Sequence, residues 1–114
     1  MQNKNSYNDG VAMVVKEKQI MNDFNAKLNL KSLDDFEIIA RLFYSEQSKR
    51  NEDMLFAQSM GKKLTLKIKT PILNNVKNNY KVIIEKYVYD IIHIDFDKIN
   101  RELYLYLEGV RALA

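Results

Sequence analysis

Apolar residues recur at every second position in two stretches of the C-terminal half of the chain. In the stretch NRELYLYLE, Leu103, Leu105 and Leu107 alternate with tyrosines and glutamates, and residues 62–70, KKLTLKIKT, alternate in the same way. This period is typical of a strand with one buried face, because successive side chains point to opposite sides of a sheet. Pro71 follows the second stretch and cannot extend a hydrogen-bonded ladder. The pattern therefore predicts two strands.

The strand predicted over residues 62–70 has an apolar face and a basic face. Its residues divide into an inward set, Leu64, Leu66 and Ile68, and an outward set, Thr65, Lys67 and Lys69. We favour the interpretation that the outward lysines lie in solvent, because charges on a strand keep it soluble and discourage edge-to-edge pairing.

An alternative interpretation gives the lysines and tyrosines a ligand. A basic ridge would face a phosphate backbone, and the tyrosines of the last strand would stack on bases. The residues concerned are Lys62, Lys63, Lys67, Lys69, Tyr104 and Tyr106.

Four other apolar stretches predict strands. They are residues 11–20, 36–44, 80–84 and 87–94, and the last two form a hairpin that turns at Glu85 and Lys86. Residues 36–44 are rich in β-branched and aromatic side chains. Their alternation puts Ile38, Ala40 and Leu42 on one face and Ile39, Arg41 and Phe43 on the other. The polar stretch 21–35 predicts a long connection or a hairpin arm, and residues 72–80 predict a loop.

Residues 45–61, SEQSKRNEDMLFAQSMG, predict a helical insertion between two of these strands. Met54, Leu55 and Phe56 lie among helix-forming residues, and Gly61 is placed to end the helix. A short helix with a largely polar sequence is marginal in water. We therefore expect this segment to be partly disordered unless it packs against a neighbour.

These elements predict a mainly β protein, a small antiparallel β-barrel or sandwich of about six strands with one short helical insertion. A chain of 114 residues, 46% of them hydrophobic, is long enough for one core but not for two. We expect a single domain, residues 1–114, in which residues 1–10 form a flexible N-terminal arm.

The composition of the chain limits its expected cellular location and the classes of partner that it could bind. The polar start of the chain lacks the apolar stretch of a secretory signal, and no run is long enough to cross a bilayer. We therefore expect an intracellular protein with no membrane partner. The absence of cysteine excludes disulfides and thiolate metal sites. The net charge of +3 is too mild to identify a nucleic-acid-binding protein by itself.

Candidate catalytic chemistry is sparse. His93 is the only histidine, and within a β-branched run we expect it to be a structural residue of the strand. Asp95 and Asp97 are expected to lie in a solvated turn, because a calcium loop needs further regularly spaced ligands and a glycine. Neither a nucleophile elbow nor a glycine-rich phosphate loop occurs. We predict no enzymatic activity, no cofactor and no metal site.

Three pieces of the sequence occur in a recognisable order. The first is Ala40 in the strand before the insertion, and the second is the insertion itself, with Glu52 and Ala57, leading into KKLTLKIK. The third and most specific is YDIIHI, an acidic turn and then NRELYLYLE. In this order they resemble the small head-closure proteins of tailed bacteriophages, also called head–tail joining or stopper proteins. The resemblance covers roughly residues 10–110.

The resemblance implies a structural virion protein of the head–tail connector. Such a protein forms a ring, twelvefold on the virion, beneath the portal and adaptor proteins and closes the channel after double-stranded DNA has been packaged. It also offers a docking surface to the tail or to a tail-completion protein. The implied location is the head–tail interface of the virion, and the host cytoplasm during assembly.

The resemblance also implies roles for particular residues. Lys62 and Lys63, at the exit of the insertion, would contact DNA in the channel. The insertion would contact neighbouring subunits or close the channel through Glu52, Met54, Leu55, Phe56 and Ala57.

A second class of function stays open at this point, a free-standing barrel of the OB type that binds single-stranded nucleic acid. It predicts steeply salt-dependent binding by the isolated protein, because phosphate contacts release counterions. The head-closure interpretation instead predicts little affinity in isolation and avid assembly on a preformed ring, where many weak contacts act together.

Overall fold

The computed structural model describes residues 7–18 and 32–113 of the chain. Within these ranges, six strands, one α-helix and one short 3-10 turn follow one another. The strands are β1 (Gly10–Glu17), β2 (Phe36–Gln47), β3 (Leu66–Pro71), β4 (Lys81–Ile84), β5 (Tyr87–Asp97) and β6 (Glu102–Ala112). Helix α1 (Asn51–Ser59) lies between β2 and β3, and the 3-10 turn is Leu33–Asp35. The predicted mainly β fold with one short helical insertion is confirmed.

The six strands pair antiparallel and close into one barrel in the order β1-β2-β3-β6-β5-β4. Strand β4 returns to β1, with Ala12 opposite Ile84 and Val15 opposite Lys81. Closure pairs the backbone hydrogen-bonding groups of β1 and β4 with each other and removes the free edges that an open sheet exposes. Of the two architectures that the sequence left open, the protein has the barrel.

Strand β6 supplies the centre of the barrel core. Leu103, Leu105 and Leu107 are fully buried and pack with Ile68 of the neighbouring strand β3 and with Val14 of the opposite strand β1. Burying each leucine side chain contributes roughly 2 kcal/mol relative to leaving it exposed. The inward face predicted from the alternation is confirmed for this strand.

A β-bulge changes the faces predicted for β2. Consecutive residues of β1 lie opposite Ala40 and Ile38, so Ile39 is an extra residue in the pairing. An extra residue shifts the alternation of side chains. Ile39 and Leu42 therefore both pack against the barrel core, whereas Ile38 packs in a second cluster outside it. The prediction that Ile38 and Leu42 share one face is wrong for this reason.

The connection from β3 to β4 closes one end of the barrel. Residues 72–80 carry Val76, which is buried in the core cluster, and Leu73 and Tyr80, which pack against that cluster. Because β3 neighbours β6 and β4 neighbours β1, the chain has to cross the barrel end between them. The predicted connection thus also serves as a plug.

Two predicted boundaries move in the N-terminal half. Strand β1 ends at Glu17, and the connection predicted over residues 21–35 falls outside the described residues up to residue 31. Strand β2 continues past the predicted end at Tyr44, because residues 45–47 pair with β3. These residues therefore belong to the barrel wall and not to the helical insertion.

Two boundaries also move in the C-terminal half. Strand β3 begins at Leu66 rather than at Lys62, so the residues between them form a connection after α1. Strand β5 continues to Asp97, which puts Asp95 in a strand and corrects its predicted place in a turn. Asp97 does lead the turn, since its carboxylate accepts hydrogen bonds from the amide and side chain of Asn100.

The N-terminal segment runs along the outside of the barrel. The Asp9 amide donates to the Tyr44 carbonyl at 2.9 Å, and the Tyr7 hydroxyl donates to the Glu102 carboxylate at 2.9 Å. The part of the predicted arm that the structure describes is thus held on the barrel, and residues 1–6 lie outside the described residues.

Candidate interaction surface

Helix α1 carries its own start and stop signals. The amide of Arg50, just before the helix, donates to the Asp53 carboxylate at 3.1 Å, which is one half of a capping box. Gly61 has a φ of 71°, and two amides after the helix donate back to carbonyls of its last turn, as in a Schellman cap. The predicted role of Gly61 in ending the helix is confirmed.

Asp53 fastens α1 to the outer face of β3. Its side chain is only 5% exposed, and its carboxylate accepts a hydrogen bond from the Lys67 Nζ at 3.0 Å. The Arg50 guanidinium donates to the same carboxylate at 3.3 Å. A buried charge is strongly unfavourable unless it is paired and hydrogen-bonded. Asp53 and Lys67 therefore hold each other beneath the helix.

The charge state of Asp53 follows from these contacts. Burial by itself raises the pKa of the carboxyl group, but the hydrogen bonds from Lys67 and Arg50 outweigh it and lower the pKa from 3.8 to about 2. Asp53 is therefore an anion at neutral pH, and the anchor is an ion pair.

The outward lysines of β3 are not solvated, contrary to the prediction. Lys67 is buried beside Asp53, and the Lys69 side chain is 14% exposed with its Nζ 3.5 Å from the Glu102 carboxylate. The alternation correctly points both side chains away from the barrel core. They are covered because α1 and the segment containing Tyr7 lie over this outer face.

A small apolar cluster completes the underside of α1. Ala57 is 1% exposed and packs with Leu64, Ile92 and Tyr106. Of the five insertion residues predicted to make contacts, Ala57 is therefore an anchor to the barrel and is not available to a partner. Leu64 was predicted to face the barrel core, but it precedes β3 and is buried beneath the helix instead.

Four large apolar side chains, three in α1 and one in the residue that follows it, are exposed among the polar side chains of the helix. Met54, Leu55, Phe56 and Met60 are 40%, 64%, 43% and 47% exposed, and we call these four residues the helix patch. Glu52 lies near the start of the helix with its side chain 75% exposed. Single exposed apolar residues are ordinary, whereas a cluster of large ones is typical of an interaction site. The helix thus buries an aspartate and presents methionines, leucine and phenylalanine to the outside.

His93 sits at the border of the helix patch. Its ring lies between those of Phe56 and Tyr106, with centroids 5.3 Å away in both cases and edge-to-face geometry. The imidazole therefore supports the position of Phe56.

Lys62 and Lys63 follow directly after the helix, and both are exposed. The Lys63 amide donates to the Glu108 carboxylate at 3.0 Å, which fixes the backbone of this connection to β6. The two ammonium groups therefore project from a firmly held segment next to the helix patch.

A polar groove of about 380 Å³ lies beside α1 on the same outer face. Its lining includes Gln47, Arg50, Lys67, Asp95, Tyr104 and Tyr106. The Tyr106 side chain is nearly buried, with the Lys67 Nζ 5.0 Å from its ring centroid. Burial first, and then the charges of Glu102 and Asp97, raise the pKa of Tyr104. Most of the lysine and tyrosine chemistry noted in the sequence is thus engaged within the protein.

Sequence reasoning missed the two residues that position this surface, Arg50 and Asp53. Their spacing, three residues apart across a helix start, is a local signal that was available. The partnership of Asp53 with Lys67 is a contact between distant elements and leaves no local trace in the sequence.

Within residues 7–18 and 32–113, no group of three or more histidine, aspartate or glutamate side chains is arranged to hold a metal ion. No helix in this part of the chain has the length and apolar character needed to cross a bilayer.

No protein-family model matches the chain, and no curated protein matches it.

Proposed function

We propose that the chain is a structural subunit of the head–tail connector of a tailed bacteriophage. It assembles as a ring beneath the portal and adaptor proteins, closes the channel over the packaged double-stranded DNA, and offers a docking surface to the tail or a tail-completion protein. In this role it belongs to the virion at the head–tail interface and passes through the host cytoplasm during assembly.

The observation that carries the proposal is the helix patch, which lies on a helix anchored to the barrel. Asp53 and Ala57 hold α1 against the barrel, while Leu55 at the centre of the patch is 64% exposed. Anchoring removes most of the ordering entropy that a loose segment would lose on binding, so the apolar area is available to stabilise assembly. A subunit that works only within a ring needs a preformed surface of this kind.

The resemblance of the closing strands to head-closure proteins supplies the particular assembly. Strands β5 and β6, which carry YDIIHI and NRELYLYLE, also form the wall under α1. Lys62 and Lys63 leave the helix on this side, and in the proposed ring they face the phosphates of DNA in the channel.

The deciding experiment uses DNA-filled, tail-less capsids that lack this protein. Purified protein is added back, and genome retention and tail attachment are measured. We expect both to be restored. Failure of a folded protein, added at a matched amount, to bind or to restore either property would rule out the proposed function.

A pair of matched variants ties the result to the helix patch. Leu55→Glu puts a charge at the centre of the patch, whereas Asn78→Glu puts the same charge at an exposed position in the plug. We expect the first to lose binding to capsids and the second to restore them as the unchanged protein does. If the two variants behave alike, the helix patch has no part in assembly.

The groove beside α1 favours a second candidate, the OB-type barrel that binds single-stranded nucleic acid. Arg50 and Tyr104 line it and are the groups that such a ligand uses. Because Lys67 is paired with Asp53 and Tyr106 is nearly buried, we rank this function second. Binding of single-stranded oligonucleotides by the isolated protein, with a steep dependence on salt concentration, would reverse the ranking.

A further inference from the structure

A second apolar patch lies on the outer faces of β1 and β2. Val11 and Phe43 are opposite each other in the pairing of these strands, and they are 42% and 64% exposed. We call this pair the wall patch. Both residues project away from the barrel, since the neighbouring Ala12 and Tyr44 belong to the core cluster.

The strand order puts the two patches on opposite sides of the barrel. Helix α1 packs across β3, β6 and β5, through Lys67, Tyr106 and Ile92. In the closed order β1-β2-β3-β6-β5-β4, the middle strand of these three, β6, is opposite β1, and strand β5 is opposite β2. Two different patches that face away from each other on one molecule favour head-to-tail contacts between copies, which form a ring when the rotation closes. A two-fold dimer would use one patch and leave the other uncovered.

The charges beside the two patches are complementary. Arg41 lies two residues from Phe43 on the same outer face of β2, and no carboxylate among the described residues is within ion-pair distance of it. Glu52 lies beside the helix patch, and among the described residues its ion contact, at 4.0 Å, is with Arg50, which already binds Asp53. Each copy thus carries an anion beside one patch and a cation beside the other.

We propose that the helix patch of one copy packs on the wall patch of the next, with Leu55 against Phe43 and Glu52 beside Arg41. The contact rests on the ring assembly proposed above and supplies its subunit interface. The occupant of each patch is therefore a second copy of this chain.

Cysteine trapping tests the contact directly, because the chain has no cysteine of its own. Leu55→Cys and Phe43→Cys are made as separate proteins, mixed at high concentration and oxidised mildly. Both positions are exposed, so neither change disturbs the core. We expect the mixed disulfide to exceed, by about tenfold, that formed by Leu55→Cys with Asn78→Cys, because a specific contact raises the effective concentration of the two thiols.

The outcomes are distinct. Trapping no greater than in the control mixture overturns the contact. Preferential disulfides of Phe43→Cys with itself, or of Leu55→Cys with itself, overturn the head-to-tail arrangement. A chain that carries both cysteines should give a ladder of products that ends in a closed ring.

A charge exchange gives a second, independent readout. Arg41→Glu and Glu52→Arg, each introduced into the two-cysteine chain, should lower trapping several-fold, and the double exchange should restore it. No recovery in the double exchange would remove this ion pair from the interface.

The capsid experiment keeps this contact separate from the proposed function. Trapping without rescue of tail-less capsids would retain the subunit contact and reject the connector role. Rescue without trapping would retain the role and reject the contact.

Discussion

Strand β6 and helix α1 attach to the same barrel in opposite ways. Strand β6 turns its leucines inward, where Leu103, Leu105 and Leu107 are fully buried. Helix α1 turns an aspartate inward and leaves Leu55 and its neighbours exposed. The barrel wall is thus built by the hydrophobic effect, which grows with the apolar area removed from water. The helix is held by the ion pair of Asp53 with Lys67 and by the small apolar cluster around Ala57.

The difference separates stability from assembly. Apolar area buried within the barrel stabilises the single chain, whereas apolar area held outside it is available to a neighbour. An ion pair suits the helix because it fixes one orientation through directional hydrogen bonds while occupying little apolar surface. The same residue type, leucine, therefore has different consequences in the two elements.

Leucine-to-alanine changes in β6 and α1 should show the largest difference in stability between the two elements. Leu105→Ala leaves a cavity in the core and should lower the free energy of unfolding by about 3 kcal/mol. Leu55→Ala removes an exposed side chain and should change it by no more than about 0.5 kcal/mol. Urea unfolding of both variants measures the contrast, and similar losses would show that α1 is integrated into the core.

Removing the charge of Asp53 tests the ion pair that holds the helix. Asp53→Asn leaves Lys67 buried without a counter-charge and should lower the free energy of unfolding by about 2–3 kcal/mol, less than for a fully enclosed pair because Lys67 regains water if the helix lifts. Replacing both partners, in Asp53→Leu with Lys67→Met, should recover much of this loss. Urea unfolding at neutral pH provides both free energies of unfolding. If the double variant does not recover, the ion pair contributes more to stability than the neutralisation of two buried charges.

The pKa of Asp53 gives the same anchor a pH signature. Its value is about 2 in the folded protein and 3.8 as the ordinary value, so the folded state binds the proton less readily than the unfolded state does. The stabilisation is therefore present above pH 4 and is lost as the pH falls through about 2. The difference in thermal stability between wild type and Asp53→Asn should shrink over that range. A constant difference would contradict the ion pair.

The barrel wall was largely predictable from the sequence because its physics is local. Alternating leucines in β6 require an inward face whatever surrounds them, and Gly61 ends its helix through its own backbone chemistry. Pro71, predicted to stop β3, is instead its last paired residue, opposite Glu102. The bulge at Ile39 was not predictable, since an extra residue in a pairing depends on the partner strand.

The candidate surface was predictable only in part, because it depends on contacts between distant segments. The insertion was predicted over residues 45–61, of which 45–47 belong to β2, and the sequence did not indicate which face of its helix would be buried. Lys67 illustrates the reason. The alternation correctly predicts that its side chain points away from the barrel core. That the side chain is nevertheless buried depends on the position of Asp53 in the folded chain.

The N-terminal segment offers a second polar attachment, weaker than that of α1. Tyr7→Phe removes a hydrogen bond to buried Glu102 and should lower the free energy of unfolding by about 1 kcal/mol. Burial, and then the hydrogen bond and charge of Glu102, raise the pKa of Tyr7 from 10.0 to about 12. The stabilisation is therefore complete below pH 10 and is lost as the pH rises through about 12. Thermal unfolding of both proteins across that range should show the difference disappear, and a difference that persists would contradict this contact.

The exposed lysines after α1 should have the smallest effect on stability. A change at these lysines should alter function without altering the free energy of unfolding. Lys62→Glu with Lys63→Glu changes only exposed side chains, so the free energy of unfolding should stay within about 0.5 kcal/mol of wild type. Lys77→Glu with Lys98→Glu makes the same change in net charge at exposed positions toward the plugged end of the barrel. If the lysines beside the helix patch face DNA in the channel, only the first variant should weaken genome retention in reconstituted capsids, because phosphate contacts are local at physiological salt. Equal retention by both variants would remove Lys62 and Lys63 from the channel, and equal weakening would assign the effect to net charge alone.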